Sequence, residues 1–153
     1  MAVVIGKSDL IHDPLVAGSV PADPQRARGR VIVAMGAVAN LATDSNTSKY
    51  HLVDLPAQAI LLPATFFDVE NDGFAQIVIG TETDTDALVD QTKATGNIVT
   101  PITQGDAFHG KQLWEVLGLA EVPESGMISL WKHAEAAATG AGNMPFAIHY
   151  LMS

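Results

Sequence analysis

The sequence predicts an all-β chain: one β-sandwich or jelly-roll-like domain preceded by an extended N-terminal arm. Three observations carry that expectation. Short apolar runs rich in Val, Ile, Phe and Tyr recur between turn-forming clusters at strand-like spacing from Arg30 onward. No stretch sustains the 3.6-residue apolar period of a long helix. Hydrophobic residues make up 48% of the chain but aromatic ones only 6%, so small and branched side chains dominate, which suits sheet faces better than a large aromatic pocket.

Residues 1–28 form the arm. Pro14, Pro21 and Pro24 interrupt any regular element there, and no apolar pattern lasts beyond a few residues. Residues 29–153 form the domain, long enough to bury one core. Its first strand run is Val31–Met35, followed by Gly36 and then by the polar stretch Thr43–Ser48. Tyr50–Leu55 stops at Pro56, and Ala59–Leu62 leads through Pro63 into Ala64–Val69. Asn71-Asp72-Gly73 then stands between β-rich runs and predicts a hairpin into Ala75–Ile79, since Asx-Gly pairs accept positive φ. Ala87–Asp90 reads as a helical turn capped by Asp86. Gly96–Ile102, Gln112–Leu117, Met127–His133 and Pro145–Met152 complete the strand candidates.

The last run is apolar on both faces. Phe146, Ile148, Tyr150 and Met152 alternate with Ala147, His149 and Leu151, which belongs in the middle of a sheet or against a second chain. In the preceding run Ile128 and Leu130 oppose Ser129, Trp131 and His133. If these two runs form a hairpin turning near Ala141, His133 and His149 face each other.

Composition excludes several function classes. Net charge is -9, which disfavours a polyanion such as DNA, so no direct nucleic-acid partner is expected. Charged residues are only 16% of the chain, against about 25% in an ordinary soluble domain. A surface so short of charge is expected to be covered by partners. Without cysteine there is no disulfide, thiolate metal site or cysteine nucleophile. No apolar run approaches the roughly 18 residues of a membrane span. Val3-Val4-Ile5 is too soon interrupted by Lys7, Asp9, His12 and Asp13 for a signal peptide, so no export signal is expected.

Glu82, Asp84 and Asp86, followed by Asp90, are the most metal-like pattern, because acids two apart in an extended loop can converge on a hard cation such as Ca²⁺. The EF-hand spacing is missing, however. The same alternation gives a solvated edge strand with Thr81, Thr83 and Thr85 on its other face, so no metal or cofactor is assigned. His12, His51, His109, His133 and His149 show neither HxH nor HExxH spacing. No serine has a GxSxG context, and the glycines match neither GxGxxG nor a P-loop, so no catalytic residue is assigned and no enzyme is expected. Trp114, Trp131 and Tyr50 are the aromatics that could line a sugar-binding surface. Arg26, Arg28 and Arg30 are assigned to partner binding, as three of only eight basic residues gathered where the arm meets the domain. The plain alternative for them is a solvated junction.

The order of features resembles a specific group. An arm ends in Gly29-Arg30-Val31-Ile32-Val33, and a later strand closes with Val53-Asp54-Leu55-Pro56-Ala57-Gln58-Ala59-Ile60. Phe67-Asp68-Val69 follows, then Ile77-Val78-Ile79-Gly80-Thr81, an Asp-rich loop ending in Leu88, and a final Ala147-Ile148-His149-Tyr150-Leu151. This is similar to small virion structural proteins of tailed bacteriophages, of the capsid decoration and head-accessory type. Gln58 stands where that group has a Gly, Gly80-Thr81 replaces Gly-Asp, and residues 103–127 look inserted. The resemblance implies a non-catalytic cement protein that binds the major capsid protein as a homo-oligomer, a dimer or trimer, in a virion assembled in the host cytoplasm. A tail, connector or fibre-base component is the neighbouring alternative. A carbohydrate-binding jelly roll for host attachment is the alternative of a different class.

Overall fold

A computed structural model describes residues 2–153. In chain order it runs α1 (Pro24–Arg28), β1 (Arg30–Asn40), β2 (Lys49–Pro56), β3 (Ile60–Leu61), β4 (Phe66–Asp68) and β5 (Gln76–Gly80). It continues with β6 (Val89–Thr92), β7 (Ile98–Val99), α2 (Leu113–Val116), β8 (Met127–His133) and β9 (Gly142–Met152). The strands form two antiparallel sheets. One has the order β1-β9-β4-β7, with β3 also paired to β9; the other has the order β2-β8-β5-β6.

β9 lies inside its sheet, between β1 on one side and β3 and β4 on the other, as its two apolar faces require. Its residues Met144, Phe146, Ile148 and Tyr150 enter the core, where they join Phe67 and Val99 of the same sheet. From the second sheet Leu55, Ile77, Ile79, Ile128 and Leu130 enter the same cluster, and α2 adds Leu113 and Val116. One continuous core therefore draws on both sheets.

Five expectations are corrected. Pro24 starts a helix instead of breaking one: Asp23 caps α1 by accepting from the Gln25 N–H at 2.9 Å, and proline's missing N–H costs nothing at a first helical position. Asn71-Asp72-Gly73 is no hairpin, because β4 and β5 belong to different sheets and this turn carries the chain between them. Gly73 is required there for space, not for a positive φ: a Cβ would lie 2.2 Å from the Gly140 carbonyl oxygen. Ala87–Asp90 forms no helical turn; Val89 opens β6 and pairs with Ile79. Gln112–Leu117 is helical, since Gln112 and Glu115 make a reciprocal capping box around α2. Finally β8 and β9 are not a hairpin. β8 pairs with β2 and β5 in the second sheet, which puts His133 and His149 on different sheets.

Candidate partner interface

The junction of arm and domain is built around Gln25. Its side chain is buried, and Nε2 donates to the carbonyls of Gln58 at 2.6 Å and Leu151 at 2.7 Å. Its Oε1 accepts from Gln112 Nε2 at 3.2 Å. Gly29 then passes so close to Leu151 that a Cβ would overlap that side chain. This peg fixes α1 against β9 and turns the neighbouring arginines outward. Arg26, Arg28 and Arg30 are all exposed.

Each arginine has a different setting. Arg26 pairs with Asp9 at 2.5 Å, and that hydrogen bond and charge hold the Asp9 carboxyl below its ordinary range. Arg30 donates to the Ser153 carbonyl at 3.4 Å. Arg28 makes no ion pair among the described residues. The three share one short stretch without converging on one pocket. Arg26 alone lines a cavity of about 320 Å³, together with Leu10, Ile60, Ile102, His109 and Leu151.

The arm and β1 both carry uncovered apolar side chains. In the arm Val3, Val4, Ile5 and Leu15 are each more than four-fifths exposed. On β1 Val31, Val33 and Met35 stand in a row, with Met35 at 78% exposure. On β1 these side chains follow one another on one face with no charge between them, and a row of that kind marks an interaction site more often than a single exposed apolar residue does.

The outer face of the second sheet is polar and aromatic. His51 stacks on Trp131 with ring centroids 4.5 Å apart, and Lys49 Nζ lies 5.1 Å from the same indole. Lys49 pairs with Glu82 at 2.5 Å, holding that carboxyl below its ordinary range. Asp54 accepts from the Ser129 hydroxyl and contacts His51 Nε2 at 2.7 Å, and these hydrogen bonds lower its pKa as well. A shallow depression of about 300 Å³ lies here, lined by Thr81, Glu82, Thr83, Ser129 and Trp131.

The acidic loop does not gather its carboxylates. Glu82 is held by Lys49, Asp90 accepts from Gln76 at 2.5 Å, and the Asp84 N–H bonds to Thr81 Oγ1 at 2.9 Å. Among the described residues no group of three His, Cys, Asp or Glu side chains could hold a metal ion. Trp114 packs partly buried on the core and donates to Gln112 Oε1 at 2.9 Å. Tyr50 is half-buried and donates to Asp44. Trp131 is therefore the one aromatic of the three that borders the acidic loop.

One buried group escaped the sequence reading. Lys132 pairs with Asp72, and both side chains are almost fully buried. The ammonium also sits 5.0 Å from the Phe74 ring and 5.6 Å from the Tyr50 ring. Burial pushes the Lys132 pKa down and Asp72 pulls it back up. A signal did exist, because period-two alternation puts Lys132 on the inward face with Ile128 and Leu130. Asp72 belongs to the turn between sheets, so the pair ties that crossover to β8.

No protein-family model matches the chain, no curated protein matches its sequence, and no solved structure matches its fold.

Proposed function

We propose that the chain is a bacteriophage virion structural protein, a capsid decoration or cement protein that binds and stabilises the major capsid shell as an oligomer. In this reading the two sheets form a β-sandwich of jelly-roll type that serves as a rigid body, and the arm supplies reach. The observation that carries it is the exposure of apolar side chains on the arm and along β1, in a chain otherwise short of charge. A shell offers a repeated surface, and an arm ordered only on contact can follow it. Arg28 and Arg30 would meet acidic patches on the shell or on adjacent copies.

The test is co-sedimentation with empty tailed-phage heads. Full-length protein should saturate the heads, and a chain lacking residues 1–22 should stay folded but bind more weakly. Asp23 and Gln25 must be kept, because they cap and anchor α1. Shortened protein that saturates heads at unchanged affinity removes the arm from the mechanism. A tail, connector or fibre-base component would instead sit on the tail axis, which imaging of whole particles separates from lattice positions.

A second reading has its own support in Trp131, which borders Thr81-Glu82-Thr83 in the shallow depression of the second sheet. An indole beside polar side chains suits a sugar ring, although His51 already stacks on Trp131. Binding to a glycan array that is lost in Trp131→Ala would favour a host-attachment module.

A further inference from the structure

Five strands stand at sheet edges, and four of them, the two-residue β3 included, carry a device that discourages further pairing. β7 has only 2 residues and β6 only 4, with Asp90 inside it. β2 begins at Lys49, shifts register between His51 and Val53, and ends at Pro56. Charges, bulges, prolines and shortness are the usual means by which sheet edges avoid one another. β1 has no proline, no bulge and no charge in its interior. Its 11 residues run without a register shift along β9, and Arg30 is its one charge. Its other edge has no partner strand among the described residues.

We infer that β1 is the self-association edge, pairing antiparallel with β1 of a second copy across a twofold axis and joining the two first sheets into one. The inference rests on the proposed reading of an oligomeric structural protein and names the surface that makes the oligomer. Full overlap of Arg30–Asn40 with itself centres on Met35. It sets Val31 against Ala39, Ile32 against Val38 and Val33 against Ala37, so every position between the strand ends is apolar or glycine.

The charges at the two ends of β1 favour this partner over an arbitrary one. The N-terminal end carries Arg30 and Arg28, which makes no ion pair among the described residues. At the other end Asp44 accepts from the Leu41 N–H at 3.0 Å, and exposed Glu70 precedes Asn71, whose carbonyl accepts from Asn143 at 2.9 Å. Asn143 is the β9 neighbour of Ala39, so Glu70 lies close to the end of β1. A twofold antiparallel pairing brings the basic end of each copy to the acidic end of the other. A parallel pairing would stack like charge on like.

The experiment is light scattering of the purified full chain over a concentration series, with Met35→Lys, Met35→Glu and their equimolar mixture. Wild type should be dimeric at high micromolar concentration. Each variant should keep the wild-type circular dichroism spectrum, because Met35 is exposed, yet associate at least about tenfold more weakly, since like charges would meet at the axis. The mixture should regain the dimer. A chain lacking residues 1–22 should still dimerise, which excludes the arm as the occupant of the edge. A monomeric wild type overturns the inference, and so does a dimer indifferent to Met35→Lys or a mixture that stays monomeric. These outcomes are read without phage heads, so failure to bind heads would overturn the proposed function and leave the edge pairing standing.

Discussion

At the scale of single residues, Lys132 and Asp72 are the sharpest test of how the core is built. Removing one partner leaves the other charge stranded among apolar groups, so Lys132→Met alone should destabilise the fold by about 3–5 kcal/mol. Asp72→Leu combined with Lys132→Met should recover most of that loss, since an apolar pair of similar volume often matches a buried ion pair. Urea denaturation of the two variants checks both halves. Tyr50 gives a pH signature. Burial, and then the Asp44 carboxylate beside it, push its phenol up to about 12. The unfolded phenol ionises near 10, so between those values the unfolded state has lost a proton that the folded state keeps. Stability should therefore fall from about pH 10 to about pH 12, and Tyr50→Phe should flatten that decline. Lys132 works in the opposite sense, because its lowered pKa makes stability rise with pH up to its ordinary value. Comparing Tyr50→Phe with wild type isolates the tyrosine from it.

At the scale of elements, the α1 peg and the crossover between sheets decide how the chain is routed. Gln25→Ala would leave the Gln58 and Leu151 carbonyls without their shared donor, at a cost of roughly 1–3 kcal/mol. The expected outcome is faster amide exchange across Pro24–Arg28 with the β9 core unchanged, measured by hydrogen–deuterium exchange. Gly142→Ala should be more damaging, because a Cβ there would lie 2.3 Å from the Gly73 nitrogen and 2.4 Å from the Asn71 carbonyl oxygen. Elements set by local pattern were legible in advance. Met127–His133 is β8 to the residue, and the two apolar faces of Pro145–Met152 gave β9 its interior place. What pairs with what was not legible. Asn71-Asp72-Gly73 carries a hairpin composition, yet its use is set by Asn40, Gly140 and Lys132, which are distant in sequence. The apolar Leu113, Val116 and Leu117 fit a strand or a short helix equally, and only the Gln112–Glu115 cap signals the helix. For the candidate site, the cluster Arg26, Arg28 and Arg30 could be read directly, whereas its anchoring through Gln25 depends on carbonyls 33 and 126 residues away.

At the scale of the whole molecule, apolar surface outweighs the charge available to solvate it. A 153-residue chain with 16% charged residues buries a single core and still leaves Val3, Val4, Ile5, Val31, Val33 and Met35 open to water. On the proposed reading, this surface is what partners cover, and its placement on the arm and on one sheet edge would direct them. The acid limb of stability should be shallow, because carboxylates with lowered pKa values such as Asp9, Asp54 and Glu82 are exposed and screened by solvent. Their contribution is present above the ordinary carboxylate range and is lost as pH falls through the lowered values. The most direct measurement is cryo-electron imaging of empty tailed-phage heads incubated with the full-length chain. Extra density repeated at lattice-related positions on the shell, and absent from untreated heads, is the predicted result. Shells that stay bare at saturating protein would contradict it.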